Sequence, residues 1–144
     1  MKNQRLEFLK SFEGRIFEGS PAPFAKWLQG KVIAASESSV AFEFIVRKEM
    51  TNPVGMLHGG VMAGMIDDCI GVNFYVLGLE LFYPTINLNI DFFSAAREGE
   101  TVRVRTEVVK LGKTIINIQA EIFNYENRKI AAATANLAVS NLKI

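Results

Sequence analysis

The chain changes its hydrophobic rhythm partway along. From residue 58 or 59 to about residue 77, Ala, Met, Ile, Val and Phe fall on every face of a helical wheel, which predicts one long helix buried all round. Gly60, Gly64 and Gly71 each lower helix propensity by about 1 kcal/mol relative to Ala; close approach of a strand or another helix would compensate. After Gly78 the period drops to two. Ile86, Leu88, Ile90 and Phe92 alternate with Asn87, Asn89, Asp91 and Phe93. Val102, Val104, Thr106 and Val108 alternate with Arg103, Arg105 and Glu107, and Ile116, Ile118, Ala120 and Ile122 with Asn117, Gln119 and Glu121. This is the pattern of antiparallel strands with one buried and one wetter face. Turns are expected at Leu111-Gly112-Lys113 and Glu126-Asn127-Arg128, with a last strand over about 129–139.

Upstream, residues 1–20 predict a short N-terminal helical segment, with Leu6, Leu9 and Phe12 on one face, then a Gly-containing turn. A Pro-rich loop at 20–23 delivers residues 24–28. Strand-like runs at 31–36 and 40–46 flank the polar turn Glu37-Ser38-Ser39, and Asn52-Pro53 with Gly55 marks a loop. The order is two strands, one long helix, then four strands. A flat sheet covers only one face of a helix, so a helix apolar on all sides calls for a sheet curled around it. The expected class is α+β: one domain over residues 1–144, an antiparallel sheet of five to six strands wrapped around a long central helix.

Composition narrows the function. Sixteen basic residues against fifteen acidic ones leave a net charge of +1, which provides no global field for nucleic acid or an anionic membrane. Residues 59–79 contain no Lys or Arg, but Asp67 and Asp68 near the centre would each cost roughly 2.5–3.5 kcal/mol on membrane insertion. A helix buried in protein is the better reading. Cys69 is the single cysteine and cannot form an intrachain disulfide; residues 1–12 show no apolar signal region. A reducing, cytoplasmic setting is expected. With one histidine and one cysteine, no metal-ligand motif appears.

Candidate chemistry sits in residues 52–67, where Asn52-Pro53-Val54-Gly55-Met56-Leu57-His58-Gly59-Gly60 runs into the helix bearing Asp67. Gly59 and Gly60 lie where a helix begins, so free N–H groups and the positive end of the helix dipole can hold a developing oxyanion. A carboxylate in an apolar helix is costly unless paired or used. Asp67 can therefore serve either as general base on water or as a nucleophile giving a mixed anhydride. Gly59 and Asp67 are eight residues apart, roughly 12 Å along a helix, too far for both to reach one reacting group. Two copies related by a dyad could combine the halves, which predicts a homodimer with composite sites, and a homotetramer as the further assembly.

The run from Asn52 to Asp67 resembles the PaaI-like (phenylacetate-degradation type) acyl-CoA thioesterases of the hotdog superfamily, whose signature is an Asn–Gly–His–Gly–Gly stretch leading into a helix that carries an Asp. The resemblance extends over about residues 23–139. It implies that Asp67 is the base or nucleophile and that Gly59 supplies the oxyanion N–H. It also implies that Asn52 and His58 orient the thioester and water, and that Thr85 helps place the water. One subunit would supply Asn52, His58 and Gly59, and the other Asp67 and Thr85. The segments 94–100 and 110–114 are similar to family segments along the coenzyme A path, making Ser94, Arg97, Lys110, Gly112, Lys113 and Thr114 candidate contacts. Coenzyme A would enter as part of the substrate, with no separate cofactor.

Plainer readings stand beside these. Asp68 points about 100° from Asp67 on a helix and is expected to make a polar contact with a neighbouring strand or subunit, outside any paired acid–base site. Cys69 is expected to be a packed core thiol. Met56, Met62, Met65, Phe74 and Phe82 suit an acyl tunnel, although core filling explains most of such residues. Two other functions fit the pattern: a hotdog enoyl-CoA hydratase or dehydratase, and a non-catalytic acyl-CoA-binding dimer.

Overall fold

In the computed structural model, which describes residues 2–144, each predicted rhythm takes its own element. The long apolar run forms α3 (Gly59–Val76), preceded by α1 (Gln4–Lys10) and α2 (Pro23–Leu28). The strands are β1 (Lys31–Ala35), β2 (Val40–Ile45), β3 (Thr85–Phe92), β4 (Thr101–Leu111), β5 (Ile115–Asn124) and β6 (Lys129–Ala138). Among the described residues they form one antiparallel sheet in the order β1-β2-β4-β5-β6-β3. The α+β fold, with the sheet wrapped on a central helix, is as expected.

The alternation sets the core. Val102, Val104 and Thr106 of β4, Ile116, Ile118 and Ile122 of β5, and Ala131, Ala133, Ala135 and Leu137 of β6 all turn inward onto α3. Each buried Ile or Leu contributes about 1.5–3 kcal/mol. One polar pair is sealed inside. The Asn73 side chain donates to the Glu37 carbonyl at 2.9 Å and accepts from the Thr106 hydroxyl at 2.8 Å, and that hydroxyl oxygen accepts from the Val40 N–H at 3.2 Å. The network fixes the register of α3 against β2 and β4, because turning the helix would strand several buried groups.

Three expectations need correction. The N-terminal helix covers Gln4–Lys10 only; Met1 lies outside the described residues. Gly14, at φ 83°, turns the chain back, and bridges from Glu13 to Val32 and from Ile16 to Lys31 tie the segment beside β1. Second, α3 is not buried all round: Gly60, Asp67 and Gly71 are exposed and Ala63, Gly64, Asp68 and Tyr75 are half-buried. These positions share one helix face, which the sheet does not reach. Third, the apolar face of β3 is covered only at its middle, where Leu88 and Ile90 pack against the core. It is an edge strand, and Ile86 and Phe92 remain 57% and 50% exposed.

Candidate active site

The loop before α3 is built around Asn52. Its side-chain oxygen accepts from the N–H groups of Val54 and Met56 at 3.1 and 3.0 Å, a local turn that Asn favours. This uses the oxygen and leaves the Nδ2 hydrogens free to donate. The loop is then pinned at both sides, as the Leu57 N–H donates to the Ala96 carbonyl and the His58 N–H to the Met50 carbonyl. His58 caps the helix: with extended backbone (φ −63°, ψ 135°), its Nδ1 accepts from the Gly60 N–H at 2.8 Å. That bond selects the tautomer carrying its proton on Nε2, which makes Nε2–H a donor. It also corrects the expected pair of free glycine N–H groups. Gly60 is spent on the cap; among the described residues nothing accepts from Gly59 N–H, which lies at the positive end of α3.

Asp67 lies two turns further on, on the open face of α3. The Thr85 hydroxyl, from the start of β3, donates to its Oδ1 at 3.3 Å, so the structure brings these two predicted residues together within one chain. Asp67 lines a chamber of about 620 Å³ walled by Phe8, Phe17, Phe24, Tyr75 and Phe82. Asn52 and Gly59 line a different cavity, of about 380 Å³, with Met56, Met62, Phe92 and Ser94. The predicted site residues are thus divided between two separate concavities of the same chain. Met65 and Phe74 are fully packed in the core, so only part of the suggested tunnel set faces a cavity.

The strand contact expected of Asp68 is absent within the chain: none of the described residues donates a hydrogen bond to it, and it lines the Asp67 chamber. Burial, and then the charge of Asp67, push its carboxyl up from 3.8 to about 6. The two acids therefore sense each other despite pointing apart. Cys69 is buried in the core as expected, its thiol pushed up by burial and then by Asp68.

The candidate coenzyme A contacts are also divided. Ser94 and Arg97 sit beside the Gly59 cavity, where Arg97 bridges Met56. Lys110, Gly112, Lys113 and Thr114 form the β4–β5 hairpin at the opposite end. There the Tyr83 hydroxyl donates to the Lys113 carbonyl and the Val139 N–H to that of Thr114. A side chain at Gly112 would collide with the Ile115 carbonyl oxygen, so the tight hairpin requires glycine there. The two groups lie at opposite ends of β3, seven residues or roughly 23 Å apart. The chamber walls Phe8, Phe17, Phe24 and Tyr75 escape sequence reasoning, because they come from three helices and a loop and form no motif. Among the described residues no cluster of His, Cys, Asp and Glu could hold a metal ion, and no helix is long and apolar enough to cross a membrane.

Comparison with known proteins gives the following. The family model for the Thioesterase superfamily matches residues 54–131, which include His58, Gly59, Asp67 and Thr85 but stop short of Asn52. Acyl-coenzyme A thioesterase 13 of Homo sapiens is 31% identical over 107 residues, spanning 72% of this chain and 75% of that protein. The structure of a phenylacetic acid degradation-related protein of Ralstonia eutropha JMP134 is similar with a TM-score of 0.76 at 28% identity, covering 85% of this chain and 94% of that one. Thioesterase superfamily member 2 of Mus musculus superposes with a TM-score of 0.78 over 97% of this chain and 100% of its own, at 20% identity, a likeness of fold.

Proposed function

The chain belongs to the thioesterase superfamily, and from that premise we propose that it hydrolyses an acyl-CoA to a free acid and coenzyme A at sites shared between two copies. The observation that carries this reading is the division of the site. Asp67 with Thr85 opens on an apolar chamber, and the free Gly59 N–H opens on another cavity about 12 Å along the helix. The exposed edge of β3 supplies a way to join them. β3 begins beside Asp67 and ends with Phe92 lining the Gly59 cavity. Antiparallel pairing of β3 with β3 of a second copy would set Asp67 of one chain opposite Gly59 of the other. The same dyad would bring Ser94 and Arg97 of one copy toward the 110–114 hairpin of the other, giving coenzyme A a cationic path from both.

In this arrangement the thioester carbonyl oxygen takes the Gly59 N–H, with Asn52 Nδ2 and His58 Nε2–H as flanking donors. Asp67 removes a proton from water whose oxygen attacks the carbonyl carbon. The Thr85 hydroxyl, donating to Asp67, keeps its lone pairs to hold that water. The tetrahedral intermediate then collapses, the C–S bond breaks, and the coenzyme A thiolate leaves and takes up a proton. The Thr85 hydrogen bond suits the general-base role, because it orients the carboxylate beside the hydroxyl oxygen that can hold the water. A single turnover in ¹⁸O-water bears on the roles: a general base puts the label into the acid alone, whereas label on Asp67 shows an anhydride opened at the Asp67 carbonyl.

The direct test is Asp67→Asn, assayed by thiol release over aromatic and aliphatic acyl-CoAs. Turnover is expected to fall by at least ~10²-fold with fold and assembly intact; wild-type rates in the variant would overturn the assignment. Water addition to an enoyl-CoA without thiol release would point to the hydratase reading, and tight binding without any turnover to a binding dimer.

A further inference from the structure

Asp68 has no step in the hydrolysis above, yet it faces the same chamber as Asp67. The chamber is otherwise aromatic and small: Phe8, Phe17, Phe24, Tyr75 and Phe82 present rings, while Gly71 and Val72 open the floor. Its charged lining among the described residues is Asp67 and Asp68, both negative. The nearby cation does not relieve them. The Arg5 guanidinium lies over the Tyr75 ring, 5.3 Å from its centroid, and gives its hydrogens to the carbonyls of Leu79 and Ile144.

A guest entering this chamber must settle with Asp68. An alkyl tail strips water from the carboxylate and gives nothing back. A tail ending in a carboxylate adds a third negative charge in a place where water screens little. A cationic nitrogen meets a complementary charge at Asp68 and the electron-rich faces of several rings, the surroundings that hold ammonium groups elsewhere in proteins. The position is close to the reaction. Neighbouring Cα atoms on a helix are about 3.8 Å apart with side chains diverging by about 100°, so Asp68 stands beside an acyl chain only a few bonds beyond the carbonyl that Asp67 serves.

Building on the acyl-CoA reading, we infer that Asp68 is the specificity-determining residue of the acyl chamber and that it selects acyl groups carrying a cationic nitrogen over neutral or carboxylate-bearing groups of the same shape.

The test compares butanoyl-CoA bearing a terminal trimethylammonium with its tert-butyl isostere, which has the same shape without the charge, and with a carboxylate-terminated analogue. In the wild type kcat/KM is expected to favour the cationic substrate over the isostere by at least ~10-fold, mostly through KM, with the carboxylate substrate poorest. Asp68→Asn should lower kcat/KM for the cation, raise it for the isostere, and cut their ratio several-fold, with Asp67 as the charge that stays in the chamber. A wild-type ratio near one, or the wild-type ratio retained in both Asp68→Asn and Asp68→Ser, overturns the inference while leaving the thioesterase reading intact. If no acyl-CoA is turned over, that reading fails instead. Calorimetric binding of the non-hydrolysable thioether pair to wild type and Asp68→Asn still decides the inference, by presence or absence of the same preference.

Discussion

Gly59→Pro offers an unusually clean deletion of one hydrogen-bond donor. Gly59 is the first residue of α3, a position where proline is favoured because its missing N–H has no partner inside the helix. The residue before a proline must be extended, and His58 already is, at φ −63° and ψ 135°. A Cβ at Gly59 would lie 3.4 Å from the Phe92 ring, an ordinary contact. The fold is therefore expected to persist while the oxyanion loses its backbone donor, which costs about 10²–10³ in kcat, or roughly 2.7–4 kcal/mol. Asp67→Asn disables the other half. Refolding the two variants together in equal amounts lets half of the dimers form as mixed pairs. Each mixed dimer carries one intact site and one doubly defective site, so about a quarter of wild-type thiol release should return. Recovery no greater than the mean of the two separate variants would refute the shared site. Activity within a few-fold of wild type in Gly59→Pro alone would refute the oxyanion assignment.

Asp68 also bears on stability. Its carboxyl is raised from 3.8 to about 6 by burial and then by Asp67, so between those values the folded chain holds a proton that the unfolded chain has released. Stability should fall as pH rises through that window, by about 1–2 kcal/mol once the full linkage value is discounted for a side chain water still reaches. Urea midpoints of wild type at pH 4 and pH 7 should show this loss and Asp68→Asn should not; parallel curves for the two proteins would contradict it. Asn73→Leu should cost about 2–4 kcal/mol, because it leaves the Glu37 carbonyl and the Thr106 hydroxyl without their partner inside the core. Thr106→Val also strands the Val40 N–H, and its loss combined with that of Asn73→Leu should be smaller in urea denaturation than the sum of the two; strictly additive losses would show that the two side chains do not act as a unit.

The parts of the fold legible in the sequence are those where one period dominates. Eighteen residues without a polar face could only be a central helix, and the strict alternation in β4 and β5 identified their inward residues one by one. The loop at 52–60 was legible because Asn, His and Gly have few substitutes for a local turn, a cap and a bare N–H. Geometry hid the rest. No spacing rule reveals that His58 bends back onto Gly60 and so reduces two free N–H groups to one. A 100° step on a wheel says which way the Asp68 side chain leaves the helix, not what waits there. The N-terminal segment, tied beside β1 by Glu13 and Ile16, sets Phe8 and Phe17 with Phe24 around the chamber that Asp68 lines.

The two mistaken burials have one cause. The sequence pattern of α3 reports apolar surroundings on a face where Gly60, Gly64, Asp67 and Gly71 are left at least partly open, and that of β3 reports a buried side where Ile86 and Phe92 face solvent. A hydrophobic pattern records the surroundings in which a chain is stable, whether another part of the same chain or a second copy provides them. The open face of α3 carries Asp67, and the exposed edge of β3 carries the Thr85 that holds it. On the proposed reading, a lone copy leaves both surfaces uncovered and both half-sites unfinished. The proposed dyad would cover the apolar side chains of β3 by the same contact that brings Gly59 to Asp67, so loss of the dimer and loss of turnover should occur together on dilution.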